Sequence, residues 1–152
     1  MAHVAVGLEG LRKLAGADLG ATEWLEITQE RVNMFADATG DHQWIHVDAE
    51  RAARGPFGRT IAHGYLTLSL LIPLWTELLR IEEIDLAVNY GLNRVRFPAP
   101  VPVGSRIRLH ARVASVEEVS GGVQLTAGFT VEVDGGSGKP ALVAEALYRY
   151  HA

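Results

Sequence analysis

The stretch Gly64-Tyr65-Leu66-Thr67-Leu68-Ser69-Leu70-Leu71-Ile72-Pro73-Leu74-Trp75-Thr76-Glu77-Leu78-Leu79-Arg80 decides how this chain folds. It is far longer than an ordinary strand of about 5–6 residues. Its apolar side chains fall on most sides of a helical wheel, so it reads as a buried helix. Pro73 has no N–H to give the Ser69 carbonyl, which predicts a kink. Thr67, Ser69, Pro73, Thr76 and Glu77 interrupt the run, and it is too short to cross a bilayer.

Beyond this helix the pattern changes. Residues 86–97, 106–116, 123–133 and 142–150 are long runs with frequent alternation, as in Val131-Glu132-Val133 and Leu147-Tyr148-Arg149-Tyr150. Turn-forming stretches at 98–104, 120–122 and 134–140 separate them, so they read as four strands. Before the helix, residues 8–15 suit a short helix stopped by Gly16, and residues 23–27 alternate like a half-buried strand. Thr28 is placed to cap a helix with Val32, Phe35, Ala36 and Thr39 on one face and Gly40 as its stop. Asp48 can cap another short helix through Ala53. One early strand, a buried helix and four long strands imply an α+β domain, an antiparallel sheet with a helix on one face.

Composition narrows the function. The chain has 152 residues, 48% of them apolar, which suits one domain with one core. Lys and Arg number 14 against 18 Asp and Glu, a net charge of -4, which argues against a general nucleic-acid binder. Cysteine is absent, which excludes a disulfide framework and a cysteine nucleophile and suits a reducing compartment. The first ten residues carry no basic segment followed by a long apolar one, so a cytoplasmic protein is expected.

The densest polar cluster is Thr39-Gly40-Asp41-His42-Gln43-Trp44-Ile45-His46-Val47-Asp48. A loop leaving a helix end can hold side chains over a cleft. A carboxylate there can hold a water, and an imidazole titrates near neutral pH. Singly, Asp41 reads as a turn cap and His46 as a satisfied, partly buried histidine. A metal set of His42, His46 and Asp48 is the other chemistry to weigh, because two histidines four apart share one helical face. Gly40 and the loop composition disfavour that helix, and the glutamate of a zinc-protease motif is missing; no metal is expected. Ala62-His63-Gly64-Tyr65 opens the apolar helix. Its glycine and free N–H groups suit an oxygen gaining negative charge, as in an oxyanion hole, or Gly64 simply relieves crowding between helix and sheet.

Phe35 through Asp48, with the core Gly40-Asp41-x-x-x-Ile45-His46-x-Asp48, resembles the hydratase motif of the (R)-specific enoyl-CoA hydratases, the MaoC-like dehydratases. Ile61-Ala62-His63-Gly64-Tyr65-Leu66 resembles that family's glycine segment. Arg94-Val95-Arg96-Phe97-x-x-Pro100-Val101-x-x-Gly104 resembles the strand and turn that follow. The resemblance covers roughly residues 20–150 and implies a hotdog fold across residues 1–152, a curved antiparallel sheet wrapped around a long central helix, dimerised as a homodimer. It implies reversible, (R)-specific hydration of a trans-2-enoyl-CoA thioester in fatty acid metabolism. Asp41 and His46 would be catalytic and the Gly64 N–H would form the oxyanion hole. No cofactor is implied, since coenzyme A is part of the acyl-CoA substrate. Gln43-Trp44 stands where the family commonly has Asn-Pro, a departure that bears on substrate size.

Other residues carry two readings each. Arg94 and Arg96 alternate on one strand and either bind phosphates of coenzyme A or solvate an outer sheet face. Gln43, Trp44 and Tyr65 are candidate substrate contacts, while His63 is expected to orient the glycine turn. Leu68, Leu71, Ile72 and Trp75 line an acyl tunnel or simply fill the core. A dehydratase subunit acting on acyl carrier protein, a hotdog thioesterase and a non-catalytic acyl-CoA binder are the alternatives; neither nucleic acid nor membrane is an expected partner.

Overall fold

The computed structural model describes residues 3–152; Met1 and Ala2, part of the segment read for a leader, lie outside them. In chain order the elements are β1 (Val4–Val6), α1 (Leu8–Arg12), β2 (Asp18–Ala21), β3 (Leu25–Glu26) and α2 (Gln29–Thr39). There follow α3 (Trp44–Val47), α4 (Ala49–Ala53), α5 (Gly64–Ser69), α6 (Leu71–Leu78) and β4 (Leu79–Ile81). The chain closes with β5 (Leu86–Arg96), β6 (Arg106–Val119), β7 (Gly122–Val133) and β8 (Leu142–His151). The main sheet runs β2-β6-β7-β8-β5, with β3 also on β6, and every pairing in it is antiparallel. The α+β class and the four long strands stand as the sequence implied.

The central helix departs from expectation in two respects. It is two helices, interrupted at Leu70, whose N–H reaches the Leu66 carbonyl while its own carbonyl accepts from Leu74. Pro73 is the cause: it offers the Ser69 carbonyl no donor and its ring crowds that carbonyl, so the turn before it opens. The helix also stops at Leu78, short of Arg80. Leu79 swings into extended backbone (φ -137°, ψ 123°), and β4 pairs in parallel with β1. That pairing was invisible in Val4-Ala5-Val6, which is too short to show a period.

α5 and α6 pack on one face of the sheet. Leu66, Leu71, Leu74, Trp75 and Leu78 pack against Leu109, Val113, Leu125, Phe129 and Tyr148 in one continuous core. Burying a side chain of this size stabilises the fold by about 1.5–3 kcal/mol. Trp75 anchors the contact: its ring lies 5.3 Å from Phe129, and its N–H donates to the Tyr150 hydroxyl at 2.9 Å. Burial pushes the Tyr150 phenol up to about 12. Tyr148 and Tyr150 thus belong to the packing of the last strand. No helix among the described residues is long and apolar enough to cross a membrane.

Candidate active site

The site begins at the end of α2. Thr28 accepts the Arg31 N–H at 3.1 Å and starts the helix; Gly40 ends it in left-handed backbone (φ 82°), its N–H on the Ala36 carbonyl. A residue with a β-carbon is strained there, so glycine fixes the direction in which the chain leaves. Asp41 follows at once, exposed, its carboxylate taking the Gln43 N–H at 3.4 Å. The chain then makes one helical turn, α3, where a loop had been expected. Its N–H from His46 to the Gln43 carbonyl swings the His46 ring inward to 6% exposure.

His46 is held from two sides. Its carbonyl accepts from the Gln29 amide at 2.7 Å, and Gln29 in turn accepts the Thr60 hydroxyl at 2.6 Å. Its Nδ1 lies 2.7 Å from the Ile61 carbonyl. A carbonyl only accepts, so Nδ1 carries the proton and the neutral ring keeps its lone pair on Nε2. Burial pushes His46 below the ordinary histidine range, and the neighbouring His63 pushes it the same way. These outweigh the Ile61 carbonyl and Asp41, which favour the charged ring. Near neutral pH the ring is therefore a neutral proton acceptor.

His63, read from sequence as an orienting residue only, sits at the centre of the arrangement. It is 2% exposed and stacks on His46 with ring centroids 3.9 Å apart; the Phe35 ring also packs on it, tilted, at 4.8 Å. Its Nε2 donates to the Asp41 carbonyl at 3.0 Å, which ties the glycine segment to the loop that carries Asp41. Its Nδ1 is buried without a partner. Polar atoms of Asp41, His46 and His63 lie within 4.8 Å of one another. The set His42, His46 and Asp48 does not converge: His42 pairs with Asp37 at 2.9 Å, and Asp48 caps α4 by accepting the Arg51 N–H. If the trio held an ion, each imidazole would have only the nitrogen not already bonded to a carbonyl to offer.

Gly64 begins α5 across a cavity of about 360 Å³ that His46, Phe57, Thr67, Phe97 and Val101 also line. Among the described residues, neither the Gly64 nor the Tyr65 N–H donates to a protein acceptor. A β-carbon on Gly64 would meet the Phe97 ring at 3.3 Å, so glycine also serves close packing here. Thr67, buried beside this cavity, carried no sequence signal beyond its place in an apolar run. The other candidates stand elsewhere. Tyr65 is 71% exposed, edge-on to Phe97 at 6.4 Å. Trp44 packs on Gly55 and under the Arg51 guanidinium at 4.4 Å, and Gln43 is exposed beside it. Arg94 and Arg96 are exposed on the edge strand β5 and do not line the cavity of His46. Ile72 and Trp75 border a separate apolar cleft with Tyr148 and Tyr150, which does not include His46.

An antiparallel sheet packed on a central helical segment is the architecture of a hotdog fold, and a buried histidine near a carboxylate beside the start of α5 can hold and move a proton. Residues 12–134 match the MaoC like domain, and the chain belongs to that family. It is 59% identical over 143 residues to 3-hydroxyacyl-thioester dehydratase Z of Mycobacterium tuberculosis, covering 93% of this chain and 94% of that one. It is 42% identical to nodulation protein N of Rhizobium meliloti, covering 91% and 88%. Among solved structures it resembles the unliganded R-hydratase PhaJ1 from Pseudomonas aeruginosa. That match has a TM-score of 0.72 at 23% identity, over 90% of this chain and 81% of that one, and it supports the fold.

Proposed function

We propose that this hydro-lyase adds water reversibly across the double bond of a trans-2-enoyl thioester, giving the (R)-3-hydroxyacyl thioester. The observation that carries the reading is the fixed tautomer of His46. A buried, neutral imidazole with its lone pair on Nε2 borders the same cavity as the unclaimed N–H of Gly64. The β-carbon of an enoyl thioester accepts water only when the carbonyl is polarised. Gly64 supplies the donor, and one such donor is worth about 3 kcal/mol in the transition state. Asp41 accepts one O–H of the water and holds it; His46 Nε2 takes the other proton as the oxygen bonds to the β-carbon. The imidazolium then returns that proton to the α-carbon as the enolate collapses, so no proton is gained or lost overall. No step calls for a metal or a redox group.

The relative named a 3-hydroxyacyl-thioester dehydratase supports this substrate class and leaves the carrier open between coenzyme A and acyl carrier protein. The free edge of the sheet supports a homodimer: β5 exposes Leu86, Tyr90 and Leu92, and an unpaired strand invites another. Light scattering tests this, and a monomer at working concentration counts against it. The reaction itself is tested by following the conjugated thioester band with crotonyl-CoA and a longer trans-2-enoyl-CoA, for wild type and His46→Ala. Loss of the band with wild type alone, giving the (R)-alcohol and no free thiol, is expected. Release of free thiol would instead mean hydrolysis. Turnover only after acyl carrier protein is supplied would move the enzyme to that carrier.

A further inference from the structure

A second groove adjoins the catalytic cavity, and its charge is uncommitted. It holds about 400 Å³ and shares the wall Ala99-Pro100 with the cavity of His46 and Gly64. Arg59 and Lys139 line it, from loops far apart in sequence. The bridge of Ile61 to Pro102 and the hydrogen bond from Ala141 to Val131 bring those loops to one end of the sheet. Among the described residues neither cation is in an ion pair, and the one carboxylate in the groove, Asp134, is bonded to Arg106. Arg59 spends one weak contact on the Val103 carbonyl at 3.4 Å and keeps its other N–H groups free. Six arginines are committed elsewhere: Arg12, Arg80, Arg106 and Arg108 to carboxylates, Arg51 and Arg149 to the rings of Trp44 and Tyr90. Of the cations that are not, Arg59 and Lys139 are the two that line this groove.

We propose that Arg59 and Lys139 bind the phosphate end of the thioester carrier, with its neutral pantetheine arm lying along Ala99 and Pro100. This rests on the hydration reading above. Both soluble and protein-bound thioester carriers end a flexible amide arm in a phosphate ester. With the acyl end fixed at Gly64 and His46, the adjoining groove is where that arm leads. Guanidinium and ammonium groups free of carboxylates are what a phosphate selects.

Binding of free coenzyme A to wild type and to the Arg59→Ala/Lys139→Ala double variant, by calorimetry, tests this apart from catalysis. The expected result is a loss of affinity of about tenfold or more, about 1.4 kcal/mol. Binding of phosphate-free pantetheine and the melting temperature stay unchanged, and Arg59→Lys with Lys139→Arg recovers most of the affinity. Crotonyl-CoA then shows the same rise in KM at constant kcat, while the crotonyl thioester of N-acetylcysteamine shows none. Phosphopantetheine separates the sources. Equal loss with it and with coenzyme A assigns the phosphate next to the arm, common to both carriers; loss with coenzyme A alone assigns the nucleotide phosphates. Coenzyme A affinity within about twofold of wild type, or equal loss with pantetheine, overturns the proposal. Failure of wild type to hydrate any crotonyl thioester would sink the reaction and leave the calorimetry to judge the groove.

Discussion

Two of the molecule's aspartate–histidine neighbourhoods, Asp18–His110 and Asp41–His46, differ in everything except residue type. On the outer face of the sheet His110 Nε2 meets Asp18 Oδ1 at 2.8 Å, a direct contact with both side chains more than half exposed. At the helix start Asp41 and His46 share no hydrogen bond, yet His46 is buried, locked to one tautomer and opens on a cavity. Contact between a carboxylate and an imidazole is thus a poor sign of chemistry. Water solvates the outer pair and screens it, so it does little beyond occupying surface. The inner pair is spaced to take a water between its members, and its histidine is shaped by desolvation.

The largest expected effect separates the two pairs directly. Asp41→Asn and His46→Ala should each lower kcat/KM for hydration by about 10²–10⁴-fold, the range for removing a general acid or base. Asp18→Asn and His110→Ala should leave it within about twofold; a comparable loss in the outer pair would break the contrast. Next comes Gly64→Pro. Proline suits the first helical position and the extended backbone of His63 before it (φ -61°, ψ 137°), so mainly the N–H is lost. A fall of about 10²–10³-fold in kcat with native circular dichroism is expected, and Gly64→Ala, which keeps the N–H, should fall far less. An equal loss in both would assign the effect to crowding against Phe97.

The pH dependence sharpens the contrast further. His46 is held below the ordinary histidine value of about 6.5, so activity should persist below that pH and fall only as the folded ring takes a proton. The sign for stability follows. Between the depressed folded pKa and the unfolded value the unfolded chain binds more protons, so stability decreases as pH falls through that window. An acid limb in kcat/KM centred above about 6.5 would contradict a neutral His46. The smallest effect belongs to His63. His63→Leu removes the stacked ring that helps depress His46, so the acid limb should move toward higher pH, with kcat lowered by about tenfold or less. His63→Gln, which retains a donor for the Asp41 carbonyl, should recover most of the rate but leave the limb shifted.

The sequence made part of this legible. The four long strands were readable because alternation sustained over about ten residues suits an extended chain and no helix, and turn residues marked their ends. Asp41, His46 and Gly64 were singled out by the polar loop, the glycine at the helix start and a spacing that resembles a known motif, and the structure places Asp41 near His46 and His46 on the cavity of Gly64. The kink at Pro73 was foreseeable from its missing N–H; that it would split the helix at Leu70 was not. β2 was missed because Asp18-Leu19-Gly20-Ala21 has poor strand propensity and bends at Gly20 (φ 79°), a bulge stabilised by the Asp18 carboxylate. His63 was undervalued because nothing local in Ala62-His63-Gly64 shows that its ring would stack on one seventeen residues earlier. Arg59 and Lys139 could not be paired in advance, since only the completed sheet carries their loops together. Arg94 and Arg96 were singled out on alternation, a rule that reports a shared face without saying what the face meets.

The anchoring of Trp75 gives the chain a light-emitting gauge of its own integrity. Of the three tryptophans, Trp24 and Trp44 are only partly buried and lie beneath arginines, whereas Trp75 is sealed between helix and sheet. Its emission should be blue-shifted in the native chain and move to the red when α6 lifts from the sheet. Trp24→Phe/Trp44→Phe enzyme would thus report detachment of the central helix without any added dye.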